Sequence, residues 1–214
     1  MKFDLSVDRI VTGPFQENTF IVRSVDSKKA LIIDPGDDEN TIIDFIKSEK
    51  LKPLAILNTH AHLDHIGAVS SLQEIFEISF YLHKKEKMIL DLYEESCEMF
   101  GLPAKKKPKV DEWITDHKNL TFQEFEINII NTPGHTPGGL CYEIFEHLFV
   151  GDTLFRGSVG RTDLPGGNWD QLRQSLIHLI ETISHDKIIH SGHGEDTKLK
   201  HELISNPFLN SLQY

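Results

Sequence analysis

The chain has 214 residues, of which 39% are apolar, and 33 acidic side chains outnumber 22 basic ones, giving a net charge of −11. This apolar fraction supports a buried core and excludes global disorder, and at roughly 100–200 residues per domain the length predicts a single domain over 1–214. So acidic a chain lacks the basic face of a general nucleic-acid binder, and two cysteines, Cys97 and Cys141, are too few for a disulfide framework.

The first third of the chain alternates between strand and helix patterns. Strands are predicted at 3–7, 19–25, 28–34 and 54–57. A helix capped by Asp37 or Asp38 is predicted between the last two of these strands. Strand, helix and strand in this order indicate an α/β domain.

The remainder of the chain continues the mixed pattern. Helices are predicted at 66–76, 84–100, 169–184 and 197–205, and strands at 78–83, 124–130, 140–145, 147–151 and 187–190. Loops rich in Gly or Pro are predicted at 101–112 and 157–168. The strand-rich blocks 1–82 and 118–191 look like two halves of one sandwich.

The sequence carries neither a secretion signal nor a membrane-spanning pattern. Its opening, MKFDLSVDRIV, lacks the charged-then-apolar order of a signal peptide, and no apolar run approaches 18 residues. We therefore expect a cytoplasmic protein that has no membrane partner.

Five of the 12 histidines lie in loops that directly follow predicted strands, and two aspartates accompany them. In an α/β fold, the ends of strands hold accessible loops on a rigid sheet, and ligands and catalytic groups gather there. A single loop histidine is more often solvated or hydrogen-bonded than a ligand, but recurrence after four strands favours a metal site. The candidate ligands are His60, His62, Asp64, His65, His135, Asp152 and His193.

The chemistry of these side chains indicates an open site for two ions. The alternate residues His60 and His62 can converge on one ion when their loop curls, while Asp64 and His65 point toward a neighbouring position. Imidazole and carboxylate ligands without thiolate suit Zn, Mn or Fe at an open site. One ion rarely coordinates seven side chains, whereas two adjacent ions that share a bridging carboxylate have enough coordination positions for all seven.

Four motifs in this order resemble a known family. The motifs THAHLDHIG, PGHTPGG, GDTLF and SGHG make the chain similar to the metallo-β-lactamase-fold hydrolases over essentially its whole length. GRTDLPGG and the GHG…NPFL ending are most similar to small glyoxalase II-like (hydroxyacylglutathione hydrolase-like) proteins. The resemblance implies the αββα four-layer sandwich, in which two mixed sheets face each other and helices lie outside.

The resemblance also implies a site and a reaction. One ion would be held by His60, His62 and His135, a second by Asp64, His65 and His193, and Asp152 would bridge the two. The ions would be zinc, with iron or manganese as alternatives. A hydroxide bridging the ions would attack a small-molecule thioester such as S-lactoylglutathione, with His60, His62 and Asp64 as catalytic residues. Asp64 could be a ligand or an acid/base, and the nearby His65 and His193 favour the ligand.

Other functions fit parts of the pattern. A persulfide dioxygenase-like enzyme would use a single iron held by two His and one Asp, but GRTDLPGG favours the hydrolase. Two further interpretations stay open: a hydrolase of another ester or a lactone, and a metal-binding module without activity.

Full-length glyoxalase II adds a C-terminal helical region with a basic glutathione-binding surface. Only 20 residues follow Gly194, so we expect no counterpart of it here.

Several further residues have two interpretations each. Asp34 either orients the His60–His65 loop or is a plain turn aspartate. Lys105–Lys109 forms either a solvated loop or a lip that binds an anionic substrate. Arg161 pairs either with Asp163 or with the substrate. Cys141 is predicted to be a core residue and not a nucleophile.

Overall fold

The computed structural model describes residues 5–115 and 119–212, so Phe3 in the first predicted strand lies outside the described residues. The chain divides into two compact units, Met1–Ile114 and Thr115–Tyr214. Each unit combines one six-stranded sheet with helices, which confirms the α/β class. Within the described ranges, no helix is long and apolar enough to cross a membrane. That 1–214 acts as one domain stays a prediction.

The first unit has a mixed sheet in which strand order follows chain order. Its strands are β1 (Leu5–Thr12), β2 (Glu17–Ser24), β3 (Lys29–Ile33), β4 (Lys52–Leu57), β5 (Ser79–His83) and β6 (Glu112–Ile114). Its helices are α1 (Glu39–Ser48), α2 (Leu63–Ile66), α3 (Val69–Phe76), α4 (Lys87–Asp91) and α5 (Tyr93–Met99), with a 3₁₀ turn over Lys84–Glu86. The pairs β1–β2 and β2–β3 are antiparallel, and β3 to β6 are parallel. The carboxyl ends of β3, β4 and β5 therefore share one edge of the sheet.

The inner strands of this sheet carry the unbroken apolar runs that buried parallel strands require. Ala30 to Ile33 of β3 are fully buried, and α1 adds an apolar stripe of Ile42, Ile43 and Ile46 to the same core. Asp38 occupies the predicted N-cap position of α1, but its carboxylate accepts the backbone N–H of Gly13 at 2.9 Å and does not cap the helix.

The helix predicted at 66–76 corresponds to α3, which begins at Val69, and a close contact at 67–68 separates it from the short helix α2 before it. The N–H of Ala68 donates to the carbonyl of Pro35 at 3.1 Å, and a Cβ on Gly67 would lie 2.4 Å from the carbonyl oxygen of Gly36. Side chains larger than hydrogen have no room there. The short helix α2 is thereby held against the turn that follows β3.

The second unit is built on a sheet of order β14-β13-β10-β9-β8-β7. Its strands are β7 (Leu120–Phe122), β8 (Phe125–Asn131), β9 (Leu140–Ile144), β10 (His147–Gly151), β11 (Leu154–Phe155), β12 (Ser158–Val159), β13 (Ile188–Ser191) and β14 (Thr197–Lys198). Its helices are α6 (Trp169–Thr182), α7 (Leu199–Ser205) and α8 (Pro207–Leu212). Since β10 and β13 are parallel and β9 is antiparallel to both β8 and β10, the carboxyl ends of β8, β10 and β13 share one edge.

The core of the second unit is a layer of aliphatic side chains between this sheet and α6. Leu172, Leu176 and Leu179 form the buried stripe of α6, as predicted, and Asn168 caps the helix by accepting the N–H of Gln171 at 3.0 Å. Cys141 is fully buried in the same core, which confirms the prediction for it.

Candidate metal centre

The loop after β4 carries four of the predicted ligands, and Asp34 orders it from the end of β3. One oxygen of Asp34 accepts the Thr59 N–H at 2.7 Å, and the other accepts the Thr59 hydroxyl at 2.6 Å and lies 3.1 Å from Nδ1 of His65. Asn58 adds a bond from its side-chain amide to the His65 carbonyl at 2.7 Å. These contacts confirm that Asp34 orients the loop and is more than a turn aspartate.

The same contacts fix which imidazole nitrogen can bind an ion. Nδ1 of His65 faces the Asp34 carboxylate, which can only accept, so Nδ1 carries the proton. The Thr59 hydroxyl gives its hydrogen to Asp34 and therefore accepts from Nδ1 of His60, 3.0 Å away. In both rings Nε2 is left with the lone pair that coordinates a metal.

Ring and atom positions in the first unit bring the four predicted ligands together. The His60 ring centroid lies 4.8 Å from that of His62 and 4.1 Å from that of His65. Oδ2 of Asp64 lies 4.0 Å from Nε2 of His65. Asp34, His60 and His65 also have ligand atoms within 4.8 Å of one another, but both oxygens of Asp34 already accept hydrogen bonds, which favours an orienting role for Asp34 over a ligand role.

Glu86 is a functional candidate that the sequence did not reveal. It is fully buried, and its carboxylate accepts the N–H of Ala61 at 2.9 Å, between the two ligands His60 and His62. In the sequence it stands in the charged run HKKEK after β5, where nothing separates it from exposed neighbours. The sequence offers one indication of a role in the site: Glu86 follows closely after β5, which runs parallel to β3 and β4.

A second buried carboxyl group, that of Glu17, lies near the Nδ1 side of the His65 ring. Its Oε2 accepts the hydroxyls of Thr12 at 2.8 Å and Thr19 at 3.1 Å, and its Oε1 lies 3.8 Å from Nδ1 of His65. Burial raises the pKa of Glu17 well above its ordinary value, although the neighbouring His65 opposes this. Glu17 therefore ionises less readily than an exposed glutamate.

The second unit brings the other three predicted ligands together around one carboxylate oxygen. Oδ2 of Asp152 lies 3.5 Å from Nε2 of His135 and 3.6 Å from Nε2 of His193. These residues follow β8, β10 and β13, whose carboxyl ends share an edge. The backbone carbonyl of Arg161 lies 2.7 Å from Nδ1 of His135, so Nδ1 again carries the proton and Nε2 the lone pair.

The distances between these donor atoms suit a shared ion. Two ligands about 2.0–2.1 Å from one ion in tetrahedral geometry lie roughly 3.3 Å apart. The nitrogen–oxygen distances of 3.5 and 3.6 Å around Asp152 exceed hydrogen-bond lengths and are close to that spacing, and the 4.0 Å between His65 and Asp64 is longer. The donor sets of both units thus fit divalent metal ions, and the assignment of individual ligands stays a prediction.

Gly160 allows the loop after β12 to close on these ligands. A Cβ at this position would lie 1.8 Å from the Asp152 carbonyl oxygen and 3.2 Å from Nδ1 of His135. Only glycine therefore lets the chain approach closely enough for the Arg161 carbonyl to reach the His135 ring.

The charged residues for which the sequence allows either a structural role or substrate binding form ion pairs within the protein. Arg161 forms two bonds to Asp163, at 2.6 and 2.7 Å, and this pairing lowers the pKa of Asp163 to about 2. Lys105 binds both Asp37 and Glu39, and Lys106 binds Glu74. These pairs favour the interpretation without substrate contact for Arg161, Lys105 and Lys106.

Comparison with known proteins agrees with this chemistry. A family model described as the metallo-beta-lactamase superfamily matches residues 12–193. The chain is 39% identical to the probable metallo-hydrolase YqgX of Bacillus subtilis (strain 168), over 94% of this chain and 96% of that protein. It is 35% identical to the hydroxyacylglutathione hydrolase GloC of Haemophilus influenzae (strain ATCC 51907 / DSM 11121 / KW20 / Rd), over 97% and 99% of the two chains.

Two solved structures are similar over nearly the whole chain. The BLEG-1 B3 metallo-beta-lactamase superposes with a TM-score of 0.90 at 41% identity, covering 95% of this chain and 99% of that one. TTHA1623, solved in a di-iron-bound form, superposes with a TM-score of 0.86 at 35% identity, covering 94% and 100%. The predicted fold is therefore confirmed as that of the metallo-beta-lactamase proteins.

Proposed function

The chain belongs to the metallo-β-lactamase superfamily, and we propose that it is a hydrolase that uses two divalent metal ions to cleave a thioester such as S-lactoylglutathione. The observation that carries this proposal is the position of Asp152, one oxygen of which lies within 3.6 Å of Nε2 of both His135 and His193. A carboxylate placed between two imidazoles is suited to bridging two ions.

In the proposed centre, His60, His62 and His135 hold one ion, and Asp64, His65 and His193 hold the other, with Asp152 between them. This assignment treats 1–214 as one domain. Divalent ions bound there would lower the pKa of a water molecule and polarise the substrate carbonyl, which is the chemistry that hydrolysis requires. We propose zinc, and the di-iron form of TTHA1623 makes iron the alternative.

The protein's own residues keep the ligands in the state that binds metal. Asp34, the Thr59 hydroxyl and the Arg161 carbonyl each face the Nδ1 of a histidine and keep the proton there. Such outer partners fix the ring orientation and raise the basicity of the coordinating nitrogen.

Neither cysteine competes as a nucleophile, because both are buried and burial raises the pKa of Cys97.

The thioester as substrate is supported by the relative named hydroxyacylglutathione hydrolase, which matches end to end at 35% identity. That protein has essentially the same length, so a chain of this size is compatible with the activity its name describes. Hydrolysis of β-lactams is a second candidate, favoured by the 41% identity to a structure described as a B3 metallo-beta-lactamase.

The test is a substrate panel on metal-free protein that has been reloaded with Zn²⁺ or Fe²⁺. We expect S-lactoylglutathione hydrolysis to return with the metal and to exceed hydrolysis of the β-lactam nitrocefin. Asp152→Ala should lower kcat by more than the roughly 10–100-fold typical of an outer partner. Asp186→Ala, which removes an exposed carboxylate paired with Lys200, should leave kcat unchanged.

Two outcomes would replace the proposal. Nitrocefin turnover without thioester turnover would assign the second candidate. Oxygen uptake on glutathione persulfide by protein holding a single iron would assign the dioxygenase chemistry instead.

A further inference from the structure

A cavity of about 60 Å³ opens in the first unit beside a proposed metal ligand. It lies between the turn that joins β1 to β2, the helix α2, and α5 with the loop that follows it. Asp64 contributes to its wall, and the other walls are mainly apolar, from Pro14, Phe15, Leu63, Tyr93 and Leu102. A group in this cavity therefore lies next to Asp64, one of the proposed metal ligands.

The charges of the cavity wall do not suit an anionic ligand. Its one ammonium group, Lys105, is bound by Asp37, which also lines the cavity, and by Glu39 at 2.5 Å. Burial opposes the charge on Lys105, but the bonds from these two carboxylates outweigh it and raise the pKa of the lysine. The cation is thus already neutralised within the wall.

Two further polar groups of the wall, those of Tyr93 and Cys97, are neutral. Burial raises the pKa of Tyr93 to about 12, and its hydroxyl accepts the N–H of Lys105 at 3.3 Å. Burial likewise raises the pKa of the Cys97 thiol, which lines the same cavity. At neutral pH both side chains present uncharged surface, so an apolar group of a ligand meets no unfavourable charge from them.

The size of the cavity limits its occupant to a small group. One probe sphere of about 10–15 Å³ holds a water molecule, so 60 Å³ accommodates roughly four to six non-hydrogen atoms. The ring of Phe15 in the wall meets that of Phe100 edge-on at 5.4 Å between centroids. Both rings are partly exposed, at 37% and 43%.

We propose that this cavity binds the short, neutral acyl group of the thioester substrate. The inference rests on the proposed hydrolase function, and it assigns the two parts of the substrate to different surroundings. The glutathione part carries net negative charge and finds no available cation in this wall, whereas a short, uncharged acyl group matches the wall in charge and in size.

The test measures binding of S-methyl-, S-ethyl-, S-propyl- and S-butylglutathione, whose alkyl groups replace the acyl group with a stable thioether. Calorimetry on metal-free protein makes the readout independent of turnover. Each added methylene should tighten binding by roughly fourfold, as expected for burial of one CH₂ group. Phe15→Ala should flatten this dependence, and Phe15→Leu should restore part of it.

The matched control is Phe208→Ala in α8, which removes a phenylalanine of similar exposure, 39%, from the other unit. It should leave the dependence on chain length intact. The inference fails if the wild-type protein shows no dependence on alkyl length, if Phe15→Ala retains it, or if no thioether binds. Because thioester hydrolysis is assayed separately, loss of the inference leaves the proposed function standing. Loss of hydrolysis with the dependence retained contradicts the function, and with it the assignment of the cavity to an acyl group, and leaves a site for a small apolar group.

Discussion

Oδ2 of Asp34 lies 3.1 Å from Nδ1 of His65, and the same oxygen accepts the hydroxyl of Thr59 at 2.6 Å. This one carboxylate therefore sets the proton positions of two proposed metal ligands, His65 directly and His60 through Thr59. Asp34 itself has a left-handed backbone, with φ of 48°, a conformation that aspartate and asparagine tolerate better than most residues.

Asp34→Asn tests this role without disturbing the backbone, because asparagine tolerates the same conformation. An amide has one acceptor oxygen, so its NH₂ group must face either the Thr59 N–H or the Thr59 hydroxyl and the His65 ring, and part of the network is lost. We expect metal affinity to fall by about 10–100-fold, measured by competition with a chelator. Asp91→Asn, which alters an exposed carboxylate on α4, is the control and should match the wild type.

Glu86→Ala should weaken the loop that carries His60 and His62. It leaves the buried N–H of Ala61 without its acceptor, which costs about 1–3 kcal/mol, and it loosens the two ligands on either side. Glu86→Gln keeps an acceptor oxygen and should restore most of the metal affinity. Equal metal affinity in the alanine variant and in the exposed control Glu95→Ala would show that Glu86 only stabilises the fold.

Glu202→Ala should be among the most destabilising single changes in the second unit. The buried Glu202 carboxylate accepts from Gly157 N–H at 2.7 Å, from the Asn206 side chain at 2.9 Å and from the Thr197 hydroxyl. Removing an acceptor shared by three donors should cost about 2–4 kcal/mol of unfolding free energy, measured with urea. Glu181→Ala on the exposed face of α6 should change it by less than about 0.5 kcal/mol.

The stability of the second unit should fall as the pH falls, in part because of His147. Burial lowers the pKa of His147, and the adjacent His190, 2.8 Å away, adds to this, whereas Glu146 and Asp196 oppose it. Since the pKa in the folded state is below the unfolded value of about 6.5, the unfolded chain binds more protons. The unfolding free energy therefore decreases as the pH drops below that value.

His147→Asn keeps a group that can bond to His190 but removes the titration. Thermal melts between about pH 5 and pH 8 should show a shallower loss of stability at acid pH in this variant, because the unfolded pKa of about 6.5 lies in that window. An exposed histidine on α6, His178, is the control, and His178→Asn should keep the wild-type slope. A wild-type slope in His147→Asn would contradict the role assigned to His147.

Much of the site could be predicted because its residues lie at strand ends. The apolar runs that precede His60, His135, Asp152 and His193 are confirmed as strands β4, β8, β10 and β13. Strand direction then brings the loops after β8, β10 and β13 to one edge of a sheet. Periodicity and turn residues carry that information locally.

What the sequence did not reveal depends on tertiary contacts. The hairpin of β11 and β12 has strands of two residues, too short for any periodic pattern, and Glu202 holds it through Gly157. The break between α2 and α3 results from the approach of Gly67 to Gly36. Glu86 looks like one more charge in a polar run, and only the fold shows that it is buried beneath the ligand loop.

The most direct test of the proposed centre is a titration of metal-free protein with Zn²⁺ while S-lactoylglutathione hydrolysis is followed. The seven proposed ligands exceed what one ion needs, and an Asp152 oxygen lies 3.5 and 3.6 Å from two imidazole nitrogens, so we expect activity to reach its maximum at two ions per chain. Full activity at one ion per chain, or hydrolysis that is independent of metal, would contradict it.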